Sequence, residues 1–513
     1  MVKDIDRNGD YYIYFYFHAL SLLNPKGTFC FITSNSWLDA EYGKDLQEFL
    51  LKYVPIYALY DNPKRSFAHA DINTIIALFG APKANGERQF RYWRDQKEMW
   101  PCLGNVAKFV MFKKSFEETL SARNLCDIDK LDAKVRNAEI TELVKNVAKT
   151  TDYRAFPIAQ EDLLEDGWGY PEEYDSKRGR FRIGQYEGNK WGAKYLRAPE
   201  IFFTILEKGK ALTRSMSEFF EGERYLNTGG ADDFFILTDV SGTKNGLRRV
   251  RNKSTAQKAK SIFEGFVEGD YLVPLVKDYT REKRTIEIGG FDAYCFVCPD
   301  GKKELKQKEA YEYVKWGESQ GYHLRSVTKT QNPWYKPTRQ MLNGGKVLVP
   351  RSFNDTYIIH YNPKAYLSLR YYRLHPKKET VEVLVAFLNS TYIAFLIETL
   401  GNRNLGQGVL NFFMGDFLKL RIPFISDARL VRIFEKMRGR AIQPIWEELG
   451  IDPERPIREQ NPKPVPDRKV LDDLIFDKIG LTDDERKEVY WSVCELVKQR
   501  LDKAQSLKEE EDS

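Results

Sequence analysis

The chain has 513 residues, of which 42% are hydrophobic and 14% aromatic, and this apolar content excludes a wholly disordered protein. Its length is enough for about three domains of roughly 150 residues each. The 80 Lys and Arg residues exceed the 74 Asp and Glu residues, giving a net charge of +6. That sign favours a polyanionic partner over an acidic protein, although an ordinary mixed-charge surface has the same balance.

The cysteine content and the N-terminal sequence indicate the compartment. Six cysteines in 513 residues do not make a disulfide framework, and MVKDIDRNGD lacks the positive segment of a signal peptide. The apolar run at 11–23 has 13 residues, fewer than the roughly 20 that span a bilayer. We therefore expect a reducing, cytoplasmic setting and no membrane partner.

The first 106 residues predict part of an α/β domain. Residues 11–23 suit a buried helix, and TFCFI (28–32) is a continuous apolar run, typical of a parallel strand buried on both faces. Residues 55–61 and 72–79 predict further strands. Between them a second helix is predicted from one apolar stripe, formed by Leu46, Phe49, Leu50, Tyr53 and Val54.

The remainder of the chain predicts three further parts. Residues 107–222 mix helical and polar stretches, whereas 223–425 contain short β-like runs broken by Gly, Pro and Asn, typical of an α+β domain. In 426–513, Thr482 and Glu485 form a capping box ahead of apolar residues at helical spacing. We therefore predict an α/β domain at 1–106, a connecting region at 107–222, a second domain at 223–425 and a helical C-terminal segment at 426–513.

The tetrad Asn332-Pro333-Trp334-Tyr335 differs by one residue from Asn-Pro-Pro-Tyr, the catalytic sequence of enzymes that methylate exocyclic amino groups of bases. That sequence acts from a loop directly after a buried strand, at the carboxyl edge of a parallel sheet. Here the preceding residues 321–331 are polar, and Trp334 replaces the second proline. The context predicts an aromatic-rich surface loop and no catalytic role.

Other chemistry-bearing patterns are weaker. A nucleotide-type cofactor requires a glycine-rich turn between a strand and a helix, but the stretch at 401–408 follows a helix-like run and the stretch at 263–270 is acidic. Cys295 and Cys298 have metal-ligand spacing, but no second pair of soft ligands lies near them. Asp300, with Glu304 and Lys306, is too tightly spaced for a nuclease hairpin. We predict neither a metal site nor a nuclease site.

Basic clusters give the better nucleic-acid signal. Residues 245–253 and 277–284 each concentrate Lys and Arg, which can neutralise phosphates, although a solvated charged face explains either cluster equally well. Trp334, Tyr335 and Arg339 place aromatic and guanidinium groups together, as in a DNA-contacting loop.

A family resemblance extends over nearly the whole chain. LLNPKGTFCFITSNSWLDAEYGKDLQEFLL (22–51) resembles the segment just after the catalytic tetrad in TaqI-type adenine-N6 DNA methyltransferases and the related type IIG restriction-modification enzymes. The helix-like stretch from Asp10 to Phe15 and the block 65–79 fit the same family. Further similar blocks follow its target-recognition domain and helical C-terminus in order, at 225–237, 271–278, 346–366, 384–424 and 467–493.

The resemblance implies a partial Rossmann-like methyltransferase domain, an α+β target-recognition domain and a helical C-terminus. The family's cofactor loop and tetrad lie upstream of the segment where this chain begins. We therefore expect no catalytic residue here, and expect S-adenosylmethionine to serve the complete enzyme without binding to this chain alone. Phe67 stands where the family has an aromatic that stacks on the flipped-out adenine, although a core position would suit it equally.

Two functions follow from the resemblance. In the first, the chain recognises double-stranded DNA and forms part of the target-base pocket, while a separate chain or a lost upstream region holds the catalytic half. In the second, it is a DNA-binding specificity subunit or a decayed pseudo-enzyme without methyl transfer. Because Arg and Asn make bidentate contacts with base edges, the predicted DNA-binding residues are Arg248, Arg249, Arg251, Lys253, Trp334, Tyr335, Arg339, Arg351, Asn402, Arg403 and Asn404.

Overall fold

The computed structural model shows a mixed α/β protein with several small sheets. The residues that it describes are 5–6, 9–67, 70, 72–83, 100–169, 174–175, 180–181, 185–224, 226–254, 261–277, 283–377, 380–403, 407–423 and 427–506.

The helices range from single turns to a 23-residue C-terminal helix. In chain order they are α1 Tyr11–Ser21, α2 Lys44–Tyr53, α3 Phe116–Thr119, α4 Ala122–Asp129, α5 Ile140–Leu143, α6 Gln160–Asp166, α7 Glu200–Gly209, α8 Asp232–Phe235, α9 Lys302–Leu305, α10 Ala310–Ser319, α11 Val381–Leu388, α12 Thr391–Leu400, α13 Met414–Lys419, α14 Arg429–Met437, α15 Ile445–Leu449, α16 Pro466–Ile479 and α17 Asp483–Gln505, with a π-helix at Gly192–Arg197.

The strands are mostly short. In chain order they are β1 Thr28–Ser34, β2 Ile56–Asp61, β3 Thr74–Gly80, β4 Val106–Phe112, β5 Ala148–Lys149, β6 Tyr153–Ala159, β7 Trp168–Gly169, β8 Tyr174–Asp175, β9 Arg180–Phe181, β10 Gln185–Tyr186, β11 Thr213–Ser215, β12 Phe220–Glu223, β13 Ile236–Leu237, β14 Asp239–Lys244, β15 Leu247–Lys253, β16 Ile262–Glu268, β17 Leu272–Val276, β18 Ala293–Phe296, β19 Val347–Pro350, β20 Ser352–Phe353, β21 His360–Tyr361, β22 Leu367–Ser368, β23 Tyr371–Pro376, β24 Leu410–Asn411 and β25 Arg421–Pro423.

The main sheet has six strands in the order β1-β3-β2-β4-β6-β5, and β2 with β4 is its parallel pair. The other neighbours run antiparallel. The predicted strands at 55–61 and 72–79 are present as β2 and β3. The sheet continues through β4 and β6, so the predicted boundary between 106 and 107 falls at the start of an interior strand and does not separate two units.

Strand β1 differs from its prediction. It lies at the edge of the main sheet, where it pairs antiparallel with β3, and its residues alternate in burial. Phe29 and Thr33 are buried, whereas Cys30 and Ile32 are exposed. The continuous apolar run predicted a strand covered on both faces, but the described residues cover only one face.

Helix α1 forms where a helix was predicted and is also covered on one side only. Tyr16 is fully buried, and its hydroxyl lies 2.8 Å from the Thr33 hydroxyl of β1. On the opposite side Tyr11 is 83% exposed and Phe15 is 58% exposed. Helix α1 and the outer edge of β1 therefore present an apolar surface to the solvent.

The chain builds two large hydrophobic cores. The first joins the main sheet to α7, α11, α12, α16 and α17, so the C-terminal helices pack with the N-terminal sheet. The second core draws its residues from 226–341 together with Leu367 and Leu369. Only part of the predicted domain at 223–425 is thus a unit of its own, because α11 and α12 belong to the first core.

Trp334 and Tyr335 lie inside the second core, 6% and 1% exposed, so the prediction of a surface loop is wrong. The Trp334 ring packs on Phe234 at 4.6 Å between ring centroids, and its Nε1 donates a hydrogen bond of 3.0 Å to Glu318. The short strands of this region leave a space that large aromatic side chains fill.

Among the described residues, no single helix is long and apolar enough to cross a membrane. Helices α11 and α12 pass that test only as a pair, which is bent by 60°.

The first core contains a buried ionic network centred on Glu398, which is 0% exposed. Arg403 and Arg500 donate hydrogen bonds of 2.7 and 2.9 Å to its carboxylate, and the hydroxyl of Tyr357 donates a third. Burial raises the pKa of Glu398, but the two arginine charges and the hydrogen bonds outweigh burial and lower the pKa below its ordinary value.

We expect Glu398→Gln to lower the free energy of unfolding by about 3–5 kcal/mol, because it leaves two arginines buried without a counter-charge. Denaturant unfolding followed by circular dichroism measures the change. The matched control is Glu488→Gln, which removes a partner of the half-exposed Arg458 and should cost less than about 1 kcal/mol. If the two variants lost the same free energy of unfolding, the buried network would not be more important for stability than the exposed ion pair.

The depressed pKa of Glu398 also sets a pH dependence. The stabilisation is fully present above the unfolded pKa of about 4.3 and is lost as the pH falls through the lower folded value. The difference in unfolding free energy between the wild type and Glu398→Gln should therefore be constant near neutral pH and shrink in acid. A difference that grows in acid would have the wrong sign.

Candidate nucleic-acid interface

A cleft of about 1570 Å³ lies where the end of strand β1 faces residues that follow β12 and α12. Its lining contains nine basic and six acidic residues, so a small positive surplus faces the cleft. The basic residues are Lys44, Lys190, Lys194, Lys210, Arg224, Arg351, Arg403, Lys419 and Arg421.

Some of these basic side chains form ion pairs within the protein, and others do not. Lys190 forms an ion pair with Asp416 at 2.9 Å across the cleft wall. Arg224 and Lys419 are exposed, and neither has an ion-pair partner in the part of the chain that the structure describes. Free cations at the rim of a cleft are the groups that neutralise phosphates of a bound nucleic acid.

One end of the cleft is a polar corner formed by Asn35, Asn73, Asn402 and Arg403. Strand β1 ends beside the start of β3, and the Asn35 N–H donates to the Asn73 carbonyl at 3.0 Å. The Asn73 side-chain amide donates to the Arg403 carbonyl at 2.6 Å. The loop after α12 is thereby tied to the end of the main sheet.

The chain turns into that loop at Gly401, where only glycine fits. A Cβ at this position would lie 2.6 Å from the Leu410 side chain and 2.7 Å from the Ile397 carbonyl oxygen. The turn brings Asn402 against Asn411, and their backbones exchange hydrogen bonds of 2.8 and 3.1 Å.

The side chain of Asn402 lines the cleft and is 4% exposed. Neither its Oδ1 nor its Nδ2 has a hydrogen-bond partner among the described residues, and the Oδ1 of Asn35 is likewise buried without a partner. A buried polar atom without a partner costs roughly 1–3 kcal/mol. Such atoms in a cleft indicate a place where a polar ligand can bind.

Phe67 lies near the same end of the main sheet. Its neighbour Ser66 lies 2.7 Å from Thr74, hydroxyl to hydroxyl, and the Arg65 N–H donates to the Ser506 hydroxyl at 3.2 Å. The ring of Phe67 is 44% exposed. The core position considered for Phe67 is therefore excluded, and the ring is accessible for stacking.

The predicted basic cluster at 245–253 falls on β15, the central strand of the sheet β14-β15-β16. Arg249, Arg251 and Lys253 share the exposed outer face of this sheet, where Arg249 forms an ion pair with Glu264. Arg248 points the other way, with its guanidinium 5.7 Å from the Tyr294 ring centroid. Three of the four predicted cations thus share a surface that lies outside the cleft.

The remaining predicted residues are placed as follows. Arg339 and Arg351 are exposed, and Arg351 lines the cleft. The guanidinium of Arg403 is bound to Glu398, and the residue is only 9% exposed, so the prediction of a DNA-binding side chain does not fit it. Trp334 and Tyr335 are core residues and present no surface to DNA. Asn404 lies outside the described residues.

Most cleft residues were missed by the sequence analysis, and three exposed side chains are among them. Arg224, Phe413 and Lys419 line the cleft, and Phe413 is 37% exposed. Each is isolated in the sequence, and no motif marks it. Only the approach of β12 to α13 brings Arg224 and Lys419 to the same cleft.

In the described part of the structure, Cys295 and Cys298 do not belong to a group of side chains that could bind a metal ion. Cys295 and Cys298 are buried free thiols, and burial raises their pKa to about 12 and about 11. The described residues include no group of three or more His, Cys, Asp or Glu that could hold a metal ion.

Two protein-family models match this chain, one near its start and one over its middle and later part. The family model for Eco57I restriction-modification methylases matches residues 2–67. The model for the C-terminal domain of the type II methyltransferase M.Eco57I matches residues 188–449. No curated protein matches the sequence.

The solved structure of the type IIG restriction endonuclease BpuSI is 12% identical, with a TM-score of 0.37, over 96% of this chain and 49% of that one. The chain therefore spans about half the length of that enzyme. Because the M.Eco57I C-terminal model alone covers more than half of the 513 residues, the chain belongs to the Eco57I family of restriction-modification methylases.

Proposed function

We propose that this chain provides DNA sequence recognition and part of the target-base pocket of a site-specific adenine-N6 DNA methyltransferase. The observation that carries the proposal is the bond from Asn73 to Arg403, which places Asn402 at the end of the main sheet where Ser66, the neighbour of Phe67, contacts Thr74. This end of the sheet adjoins a cleft with a surplus of basic residues. Double-stranded DNA is the partner that such a cleft suits.

Four residues of the cleft, together with Phe67, have a place in this proposal. Arg224 and Lys419 contact phosphates, and Arg351 and Asn402 face base edges. Phe67 stacks on an adenine extruded from the duplex, which needs an exposed aromatic ring beside a polar pocket. Further contacts come from the cationic face of β15, from Arg339 and from Asn404.

S-adenosylmethionine serves the complete enzyme, but the described residues of this chain do not fit it. A nucleotide-type cofactor needs a glycine-rich turn between a strand and a helix. Strands β1, β2, β4 and β6 are instead followed by Asn35, Asn62, Lys113 and Gln160. We therefore propose that the methyl-transfer centre lies outside these 513 residues, in a separate chain or an upstream region, and assign no step of that chemistry to this chain.

The exposed apolar residues of α1 and β1 support the proposal that another part of the enzyme binds to this surface. Strand β1 is a sheet edge whose outer side pairs with no other described strand. Ile32 is 37% exposed on the face of β1 opposite to α1, and Tyr11 and Phe15 are exposed on the outer side of α1. An uncovered seven-residue edge that carries an exposed apolar side chain is unfavourable in water and suits a partner that adds a strand. We propose that the other methyltransferase half, whether a separate chain or an upstream region, docks at this edge.

We expect the chain to bind short DNA duplexes with an affinity that falls steeply as salt rises, because binding releases counterions from the phosphates. Arg224→Ala and Lys419→Ala should each weaken binding and lower the slope of log affinity against log salt by about 1. Fluorescence anisotropy of a labelled duplex measures both quantities. Arg123→Ala, at an exposed arginine of α4 outside the cleft, is the matched control. A salt response that is flat in the wild type would contradict DNA binding.

We expect calorimetry to detect no saturable binding of S-adenosylmethionine to this chain alone, and no methylation of DNA. Co-expression with a neighbouring reading frame that ends in a strand followed by Asn-Pro-Pro-Tyr should restore methylation. Ile32→Lys should abolish that restoration by placing a charge at the docking edge. Ile262→Lys is the matched control, because Ile262 is an exposed residue of a different sheet.

The outcomes of that experiment separate the alternatives. Saturable cofactor binding with methylation by this chain alone would refute the divided enzyme. Salt-dependent DNA binding without any restoring partner would favour a specificity subunit or a pseudo-enzyme that has lost methyl transfer.

A further inference from the structure

The side chain of Asn402 offers a more specific inference, which rests on the proposed function. It is nine-tenths buried, it lines the cleft, and both polar ends of its carboxamide lack a partner in the described part of the chain. Its backbone is already paired with Asn411 on both sides. The backbone bonds to Asn411 therefore fix the position of Asn402, and its side-chain amide remains available for a ligand.

The chemistry of a carboxamide limits what can satisfy it. Oδ1 accepts and Nδ2 donates, side by side, so a matching ligand presents one donor and one acceptor next to each other. A phosphate or a carboxylate presents only acceptors and would leave Oδ1 buried and unpaired. A metal ion would satisfy Oδ1 and leave Nδ2 unpaired. The edge of a nucleobase has the required pair.

Among the base edges, adenine fits best. In the major groove of a duplex, adenine alone presents an acceptor and a donor on a single base, its N7 and its N6 amino group, and asparagine binds the two together. An extruded adenine presents the same pattern on its other edge, through N1 and N6. We propose that Asn402 reads one adenine of the DNA site through two hydrogen bonds and is a specificity residue.

The surroundings of Asn402 reduce the cost of this contact. Arg403, the next residue, is held through its side chain by Glu398 and through its carbonyl by Asn73. The backbone at residues 402 and 403 is therefore already held before binding, and a preorganised group contributes more of its hydrogen-bond energy to affinity. The unpaired Oδ1 of Asn35 is a second acceptor in the same cleft, which also favours a ligand with amino hydrogens.

The substitution Asn402→Leu separates base reading from folding. It removes a buried amide that has no partner to lose, so thermal stability should be unchanged or raised. The full-length wild type and Asn402→Leu are each used to select from a pool of short duplexes with randomised centres. The wild type should enrich a sequence with a fixed adenine, and Asn402→Leu should lose the preference at that one position, with about tenfold or more lower affinity for the wild-type sequence.

Two base analogues then identify the edge. With 7-deazaadenine at the fixed position, the wild type should lose affinity if Asn402 reads the major-groove edge. With 1-deazaadenine, it should lose affinity if the adenine is extruded and read through N1. Asn402→Leu should be insensitive to both analogues. Lys419→Ala is the control, because a phosphate contact should weaken binding to all sequences without changing the preference.

The failures are distinguishable. If the wild type enriches a sequence and Asn402→Leu enriches the same one with the same affinity, or if neither analogue weakens the wild type, the inference about Asn402 is overturned and the proposed function stands. If the wild type enriches no sequence, DNA sequence recognition by this chain is overturned as well.

Discussion

The carboxylate of Glu398 lies completely buried between two arginines, and several distant segments take their positions from it. Arg500 of α17 binds this carboxylate and also donates to the backbone carbonyls of Asn354 and Gly408. Arg403 binds it from the loop that follows α12. A buried ion pair adds little net stability compared with apolar packing, but breaking it leaves a charge without a partner. Any other conformation of the loop therefore carries a large penalty, and the network fixes geometry more than it adds stability.

The polar corner depends on that geometry. The side chain of Asn73 donates a hydrogen bond to the carbonyl of Arg403, 330 positions away in the sequence. The side chain of Arg403 is in turn bound by Glu398. Asn402 stands between these restraints and Asn411, with its own amide unpaired. A fold keeps such an unfavourable group only where its neighbours determine the backbone independently, and exceptions of this kind concentrate at functional sites.

The features predicted correctly from sequence are those that depend on neighbouring residues. Four of the five predicted stripe residues of α2 lie buried and Tyr53 is half-buried, and the capping box of Thr482 and Glu485 begins α17. The failures concern partners that are distant in sequence. An apolar run does not reveal that β1 is an edge strand, since that depends on which strand pairs with it. Trp334 is buried because α8 supplies the ring of Phe234 and α10 supplies the carboxylate of Glu318, and the polar residues before it gave no sign of this.

The same distinction applies to the candidate site. Phe67 was identified through a family pattern, because the aromatic belongs to a local block of sequence. Arg224 carries no local signal, and its position in the cleft follows from the pairing of β12 with β23. Asn402 was one of many polar candidates, and only the structure distinguishes it as the one whose amide is buried and unpaired.

The proposed recognition function uses surfaces of both cores, and Arg373 links the two. It lies on β23, is 1% exposed, and donates to the carbonyls of Gln340 at 2.9 Å and Arg224 at 3.0 Å. The first carbonyl adjoins the second core, and the second belongs to the cleft wall. It also forms an ion pair with Glu223 at 3.1 Å. A duplex that contacted both the cleft and the outer face of β15 would therefore meet two surfaces whose spacing one buried arginine helps to set before any DNA binds.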